Sequence, residues 1–298
     1  MKKTLLLLIP KILSFKNSTT LKAFLRRLPF IFIGLIFWLV FYMGSYEVLK
    51  FIRGIFFFGE IISRKLLSMT FFSLGIFLVL SNIITALSSF YMSKDIPFLM
   101  SEPIGIKEIL RLKTIETISN SSWMVISFIP PFFIAYGVSY NVPLRFYLML
   151  ILTFIPFLLM AGGIGITAAH LLTRIFSIKK LRLSLLATGL SLFLSFYLLV
   201  RSQWSISPES PERFFNAMLN IKTDSPLMPS FWITEAVMPF LKRQTPDAFH
   251  LFLLISGAVF MLVLSGAIGK WLYTHNLDRI QPSKRHGTTE GKEGFYPG

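Results

Sequence analysis

The chain has 298 residues, of which 54% are hydrophobic and 32 are Phe, and it carries a formal net charge of +16. A mean hydropathy of +0.66 is too high for an ordinary soluble domain. Cysteine is absent, which excludes disulfides, thiolate metal sites and thiol catalysis.

Residues 1–27 mix Leu and Ile with Lys2, Lys3, Lys11, Lys16, Lys22, Arg26 and Arg27. The opening imitates a signal peptide, but its apolar run is short, ends at Pro10-Lys11 and has no small-residue cleavage site. It is expected to be retained and to lie along the inner membrane surface as an interfacial segment.

Six stretches without Asp, Glu, Lys or Arg follow, at 28–46, 66–93, 117–144, 146–173, 183–200 and 248–269. A bilayer core of roughly 30 Å is crossed by about 20 apolar residues in a helix, and a charge at its centre is costly. The sequence therefore predicts an all-α, polytopic integral membrane protein with six transmembrane helices over 28–275. The longest polar connection, an outer loop at about 201–247, is too short and too rich in Pro to build a core of its own. The segment 276–298 reads as a disordered cytoplasmic tail.

Placing both termini in the cytoplasm puts about two-thirds of the 30 basic residues on the inner side. The positive charge then reports topology and attraction to anionic lipid, with no nucleic-acid partner.

Between the second and third spans, Ser93 and Asp95 suit a helix start, and Pro103 and Gly105 divide the segment. Ile106, Ile109, Leu110 and Lys113 recur at helical spacing. A short amphipathic helix at the cytosolic mouth is expected, its Phe98, Leu99 and Met100 resting in lipid headgroups or in a groove on a soluble partner.

Within the spans, Asn82, Thr85, Ser89 and Asn120 are candidates for a polar lining, or for hydrogen bonds between helices. Ala161, Gly162, Gly163, Gly165, Ala168 and Ala169 mark a face for close helix packing. His170 and His250 sit near span ends and read as interface residues. No intramembrane carboxylate pair, metal site or catalytic constellation is visible. The sequence has no Gly-x4-Gly-Lys-Ser/Thr loop, no His-Glu-x2-His pair and no Gly-x-Ser-x-Gly elbow.

The run from Ser81 to Asp95, followed by Phe98-Leu99-Met100-Ser101-Glu102-Pro103, resembles a family of bacterial ABC exporter permeases of the type-2 class. Similar matches follow in order at Ser121-Ser122-Trp123-Met124-Val125, Ala135-Tyr136-Gly137-Val138, Ile155-Pro156-Phe157 and Leu227-Met228-Pro229-Ser230-Phe231-Trp232 with Glu235-Ala236. The resemblance is to that family's N-terminal six-helix half.

It implies a multi-pass permease subunit in the bacterial inner membrane, coupling hydrolysis by a separate ABC ATPase to export of an unidentified substrate. Lys94, Asp95, Phe98, Leu99, Met100 and Glu102 would form the coupling helix that docks on the ATPase, and Trp232 and Glu235 would belong to an outer-loop helix, with Glu235 in solvent. ATP and Mg would reside on the partner, so the chain itself would be neither an enzyme nor a cofactor carrier. A second permease half or a homodimer would complete it, with membrane lipid around it. The alternatives are a non-transporting scaffold or assembly protein, or an inactive truncated half.

Overall fold

Apolar runs become helices here because a backbone entering hydrocarbon must satisfy its own hydrogen bonds. The structure, a computed structural model, describes residues 21–54, 59–93, 95–101, 103, 105–175, 225–242 and 248–280, and helical positions at 191, 194 and 198. Among them every regular element is helical. They are α1 (Leu21–Arg53), α2 (Gly59–Ala86, continued by a π turn at Leu87–Tyr91), α3 (Ile96–Ser101), α4 (Ile106–Tyr140), α5 (Leu144–Ile175), α6 (Pro229–Lys242) and α7 (Ala248–Ile280).

Among the described residues four stretches are long and apolar enough to cross a membrane: Leu28–Arg53, Ile61–Tyr91, Leu144–Ile175 and Ala248–Leu272. A fifth forms if Ile106–Ser127 and Ile129–Tyr140, bent by 43° at their junction, are one span. Pro130 and Pro131 explain the bend, since each removes an N–H donor and its ring crowds the carbonyl four residues earlier. Of the six spans expected from hydropathy, the described residues thus account for four, or five with the bent pair. Of the expected span at 183–200 only positions 191, 194 and 198 are described, and 1–20 and the tail beyond 280 lie outside the described residues. The chain is a membrane-associated helical protein.

The helices gather around α5, which packs most extensively on α7 and then on α2. Small residues permit this. A methyl group on Gly163 would lie 2.8 Å from the backbone of Met261 in α7, and one on Gly165 would lie 2.9 Å from the Val79 carbonyl in α2. The larger apolar core, including Leu67, Phe71, Phe133, Tyr136, Phe146, Phe157 and Ile233, occupies the α4–α5 turn end of the bundle. A second core, with Ile83, Leu87, Phe90, Ile96, Leu110 and Ile166, lies beneath α3.

The turn between α4 and α5 is set by Asn141, which caps α4 in the left-handed conformation at φ 49°. Asn tolerates that conformation better than most residues, and the Pro143 carbonyl then accepts from the Phe146 N–H at 3.0 Å as α5 begins. By contrast α1 joins the bundle through its C-terminal half, where Tyr42, Tyr46, Leu49 and Ile52 pack inward. Its residues 28–41 face outward.

Candidate functional site

The most structured polar region is the elbow between α2 and α4. After the π turn the chain reverses through Ser93 and Asp95 into the single-turn helix α3. Ile96 and Leu99 of this helix are buried, whereas Pro97, Phe98 and Met100 are exposed. Leu99 packs with Ile109 and Leu112 on the first turns of α4. The stretch Ile106–Lys113 is therefore no separate helix. It opens α4, whose first turn is closed by the Glu108 carboxylate accepting from the Gly105 N–H at 3.0 Å.

Lys113 ties the elbow together. Its side chain is buried, and Nζ donates to Ser93 Oγ and to Glu116 Oε2, each at 3.1 Å. Of the sequence-selected coupling residues, Asp95 and Phe98 are exposed, Met100 less so, and Leu99 is an anchor into the core. Lys94 and Glu102 lie outside the described residues.

A π turn closes i→i+5 hydrogen bonds and so inserts one residue into the helical register. Here it buries Ser89, Phe90 and Tyr91 in succession, which an α-helix packed on one side would not do. Tyr91 is thereby brought to His170 of α5, its hydroxyl 2.6 Å from Nδ1, with the Phe90 ring edge-on to the imidazole at 4.9 Å. Gly269 of α7 closes on the other ring nitrogen. This three-helix junction is the main feature that sequence reading missed. His170, expected at the membrane interface near a span end, is instead buried among three helices, and its partner depends on a register shift that periodicity does not reveal.

Asn82 and Ser121 form a second buried link: Ser121 Oγ donates to Asn82 Oδ1 at 2.7 Å, while Asn82 Nδ2 donates to the Leu78 carbonyl at 2.8 Å. Thr85 is half-buried, and Ser89 is buried with its hydroxyl unpartnered. Asn120 is exposed. The four proposed lining residues are thus divided between the α2–α4 contact and the outer surface.

At the other end, Trp232 of α6 donates from Nε1 to the Pro226 carbonyl at 2.6 Å and packs against the larger core. Glu235, expected in solvent, is half-buried and pairs with Arg64 of α2. It turns inward because α6 lies along α2, which brings the guanidinium within reach. Nearby, the Arg53 guanidinium donates to the Ser139 carbonyl, and Tyr136 donates to the Ser63 carbonyl at 3.1 Å. Among the described residues no group of three or more His, Asp or Glu side chains comes together that could hold a metal ion.

Residues 18–295 match the model of a family described as "Putative ATP-binding cassette". No curated protein and no solved structure matches the chain. The family match corrects the resemblance to an exporter permease half and the export role drawn from it, because the matched family is described as an ATP-binding cassette. It supports neither the scaffold nor the truncated-half alternative.

The match also corrects the expectation that this chain has no part in ATP binding. That expectation rested on the missing Gly-x4-Gly-Lys-Ser/Thr loop, whose absence excludes only one way of holding a phosphate. The resemblance was carried by aromatic and small-residue patterns, and packing in hydrocarbon imposes such patterns on unrelated helical bundles. Matched along nearly its whole length, the chain belongs to the family described as "Putative ATP-binding cassette".

Proposed function

We propose that this chain is the membrane-embedded helical member of an ATP-binding-cassette assembly, and that its elbow is where another subunit of that assembly docks. The family match supports the assembly, and the four long apolar helices support the membrane location. The docking role is carried by one observation. Phe98 and Met100 stand exposed on a single helical turn whose Ile96 and Leu99 are fixed in the core.

An apolar pair displayed on a rigid mount suits a groove on a partner, because little conformational freedom remains to be lost on binding. In this reading the protein sits in a bacterial cytoplasmic membrane with both termini and the elbow on the cytosolic side. Asp95 lies at the rim of the contact, and Mg-ATP is the ligand of the assembly.

The test is affinity capture of the tagged full chain from its native membrane in mild detergent, followed by labelling with a photoreactive ATP. Another subunit of an ATP-binding-cassette assembly is expected to accompany the chain. It should be lost with Phe98→Ala or Asp95→Ala and kept with the membrane-facing control Phe252→Ala. The distribution of label between the two chains identifies which one binds nucleotide. Capture without a partner, or with one indifferent to Phe98 and Asp95, overturns the docking assignment.

A further inference from the structure

Between α2, α5 and the first turn of α6 lies a cavity of about 300 Å³. Phe72, Ile76 and Val79 form one wall, Met160 and Ile164 another, and the remaining lining is apolar apart from Ser230. Ligand sites begin at about this volume, and an apolar cavity of about half the size already takes up a benzene ring.

Water is a poor occupant, since a buried water needs two to four polar partners and this wall offers one hydroxyl. Even that hydroxyl is withheld, because Ser230 is buried and its Oγ is closed off from the cavity.

Position identifies the occupant. The wall belongs to two helices long and apolar enough to cross the bilayer, and its Ile76 is 47% exposed on the outer surface of α2. The cavity is therefore continuous with the surface bathed by lipid tails. Hydrocarbon meets its mouth at high concentration, and a flexible chain can enter without leaving an apolar medium.

We propose that this cavity is a binding site for one acyl chain of a membrane glycerolipid, held by apolar contact alone. The site is independent of the docking role assigned to the elbow.

The experiment places the full chain in nanodiscs containing a phosphatidylglycerol that carries a photoreactive diazirine in mid-chain, and maps the adducts by peptide mass spectrometry. The α7 surface around Phe252, Val259 and Val263, exposed to the same lipid, reports bulk contact. Adducts on Phe71–Leu80 and Phe157–Ile164 are expected to exceed those on α7 by about tenfold, as for a site favoured by about 1.4 kcal/mol over bulk lipid.

Ala161→Leu, which fills the cavity, and Ile76→Trp, which obstructs its mouth from an exposed position, should each remove that excess and leave α7 labelling unchanged. If Ala161→Leu does not fold, Ile76→Trp alone decides. Equal labelling of the two surfaces, or an excess that neither Ile76→Trp nor Ala161→Leu reduces, overturns the site.

Discussion

The hydroxyl of Tyr91 and Nδ1 of His170 lie 2.6 Å apart in a junction of α2, α5 and α7 that is closed to solvent. The two groups hydrogen-bond across the junction, and the π turn delivers one to the other. Tyr91→Phe should lower stability by about 1 kcal/mol, the usual scale for a polar contact within a membrane protein. His170→Phe should cost a similar amount, and the double variant less than the sum. A double-mutant cycle on detergent unfolding curves measures the coupling, and strict additivity would show that the contact contributes nothing.

Lys113 presents a different balance, because its ammonium is buried while Glu116 keeps some access to solvent. Lys113→Met retains the apolar stem and removes the charge. It should destabilise by about 2 kcal/mol, below the usual loss for a fully buried pair because water still reaches the carboxylate. Amide hydrogen exchange should rise in residues 95–101 well before it rises in α5. Unchanged protection of α3 would mean that the lysine does not tether the elbow.

Close helix approach gives a sharper contrast. Gly163→Ala would place a methyl group 2.8 Å from the Met261 backbone, which cannot yield as a side-chain tip can. A loss of about 2 kcal/mol is expected from this overpacking. Gly34→Ala meets nothing within 4 Å and serves as the control. Thermal unfolding of the two variants in the same detergent should separate them clearly, and equal midpoints would refute close α5–α7 packing.

The Arg64–Glu235 pair is partly exposed and should contribute little, about 0.2–1 kcal/mol. Charge reversal at either position alone should weaken the α2–α6 contact slightly. The exchange Arg64→Glu with Glu235→Arg should restore it. Disulfide trapping between cysteines introduced on the two helices reports their proximity, and single reversals that are not rescued by the exchange would exclude a direct ion pair.

Much of the fold is legible in composition alone. Uncharged runs locate the described spanning helices, and Gly162, Gly163 and Gly165 announce close packing of α5, although they meet α4, α7 and α2 in turn and not a single neighbour. Helix ends are less legible. The charged stretch 47–53 continues α1, and Ile106–Lys113 continues into α4, because a helix does not stop at the edge of an apolar run. The site is harder still to read. Exposed Phe98 beside buried Leu99 follows from helical spacing, but the Tyr91–His170 contact requires the register shift of the π turn. Glu235 facing Arg64 requires the path of α6. Affiliation was misread for a related reason, since motifs such as Leu227–Trp232 carry the imprint of hydrocarbon packing more strongly than that of ancestry.

The paired prolines of α4 have a mechanical consequence. Without N–H groups at 130 and 131, the carbonyls of Ile126 and Ser127 lack their helical donors, and the Ser127 hydroxyl further competes for the Trp123 carbonyl at 2.8 Å. The backbone bonds that would resist flexing at this point are already missing. Leu110 and Leu112 belong to the elbow's packing, while Phe133 and Tyr136 belong to the large core. One covalent rod thus serves two separately packed masses joined by a soft spring, and the elbow can rock without prising open the core at the far end.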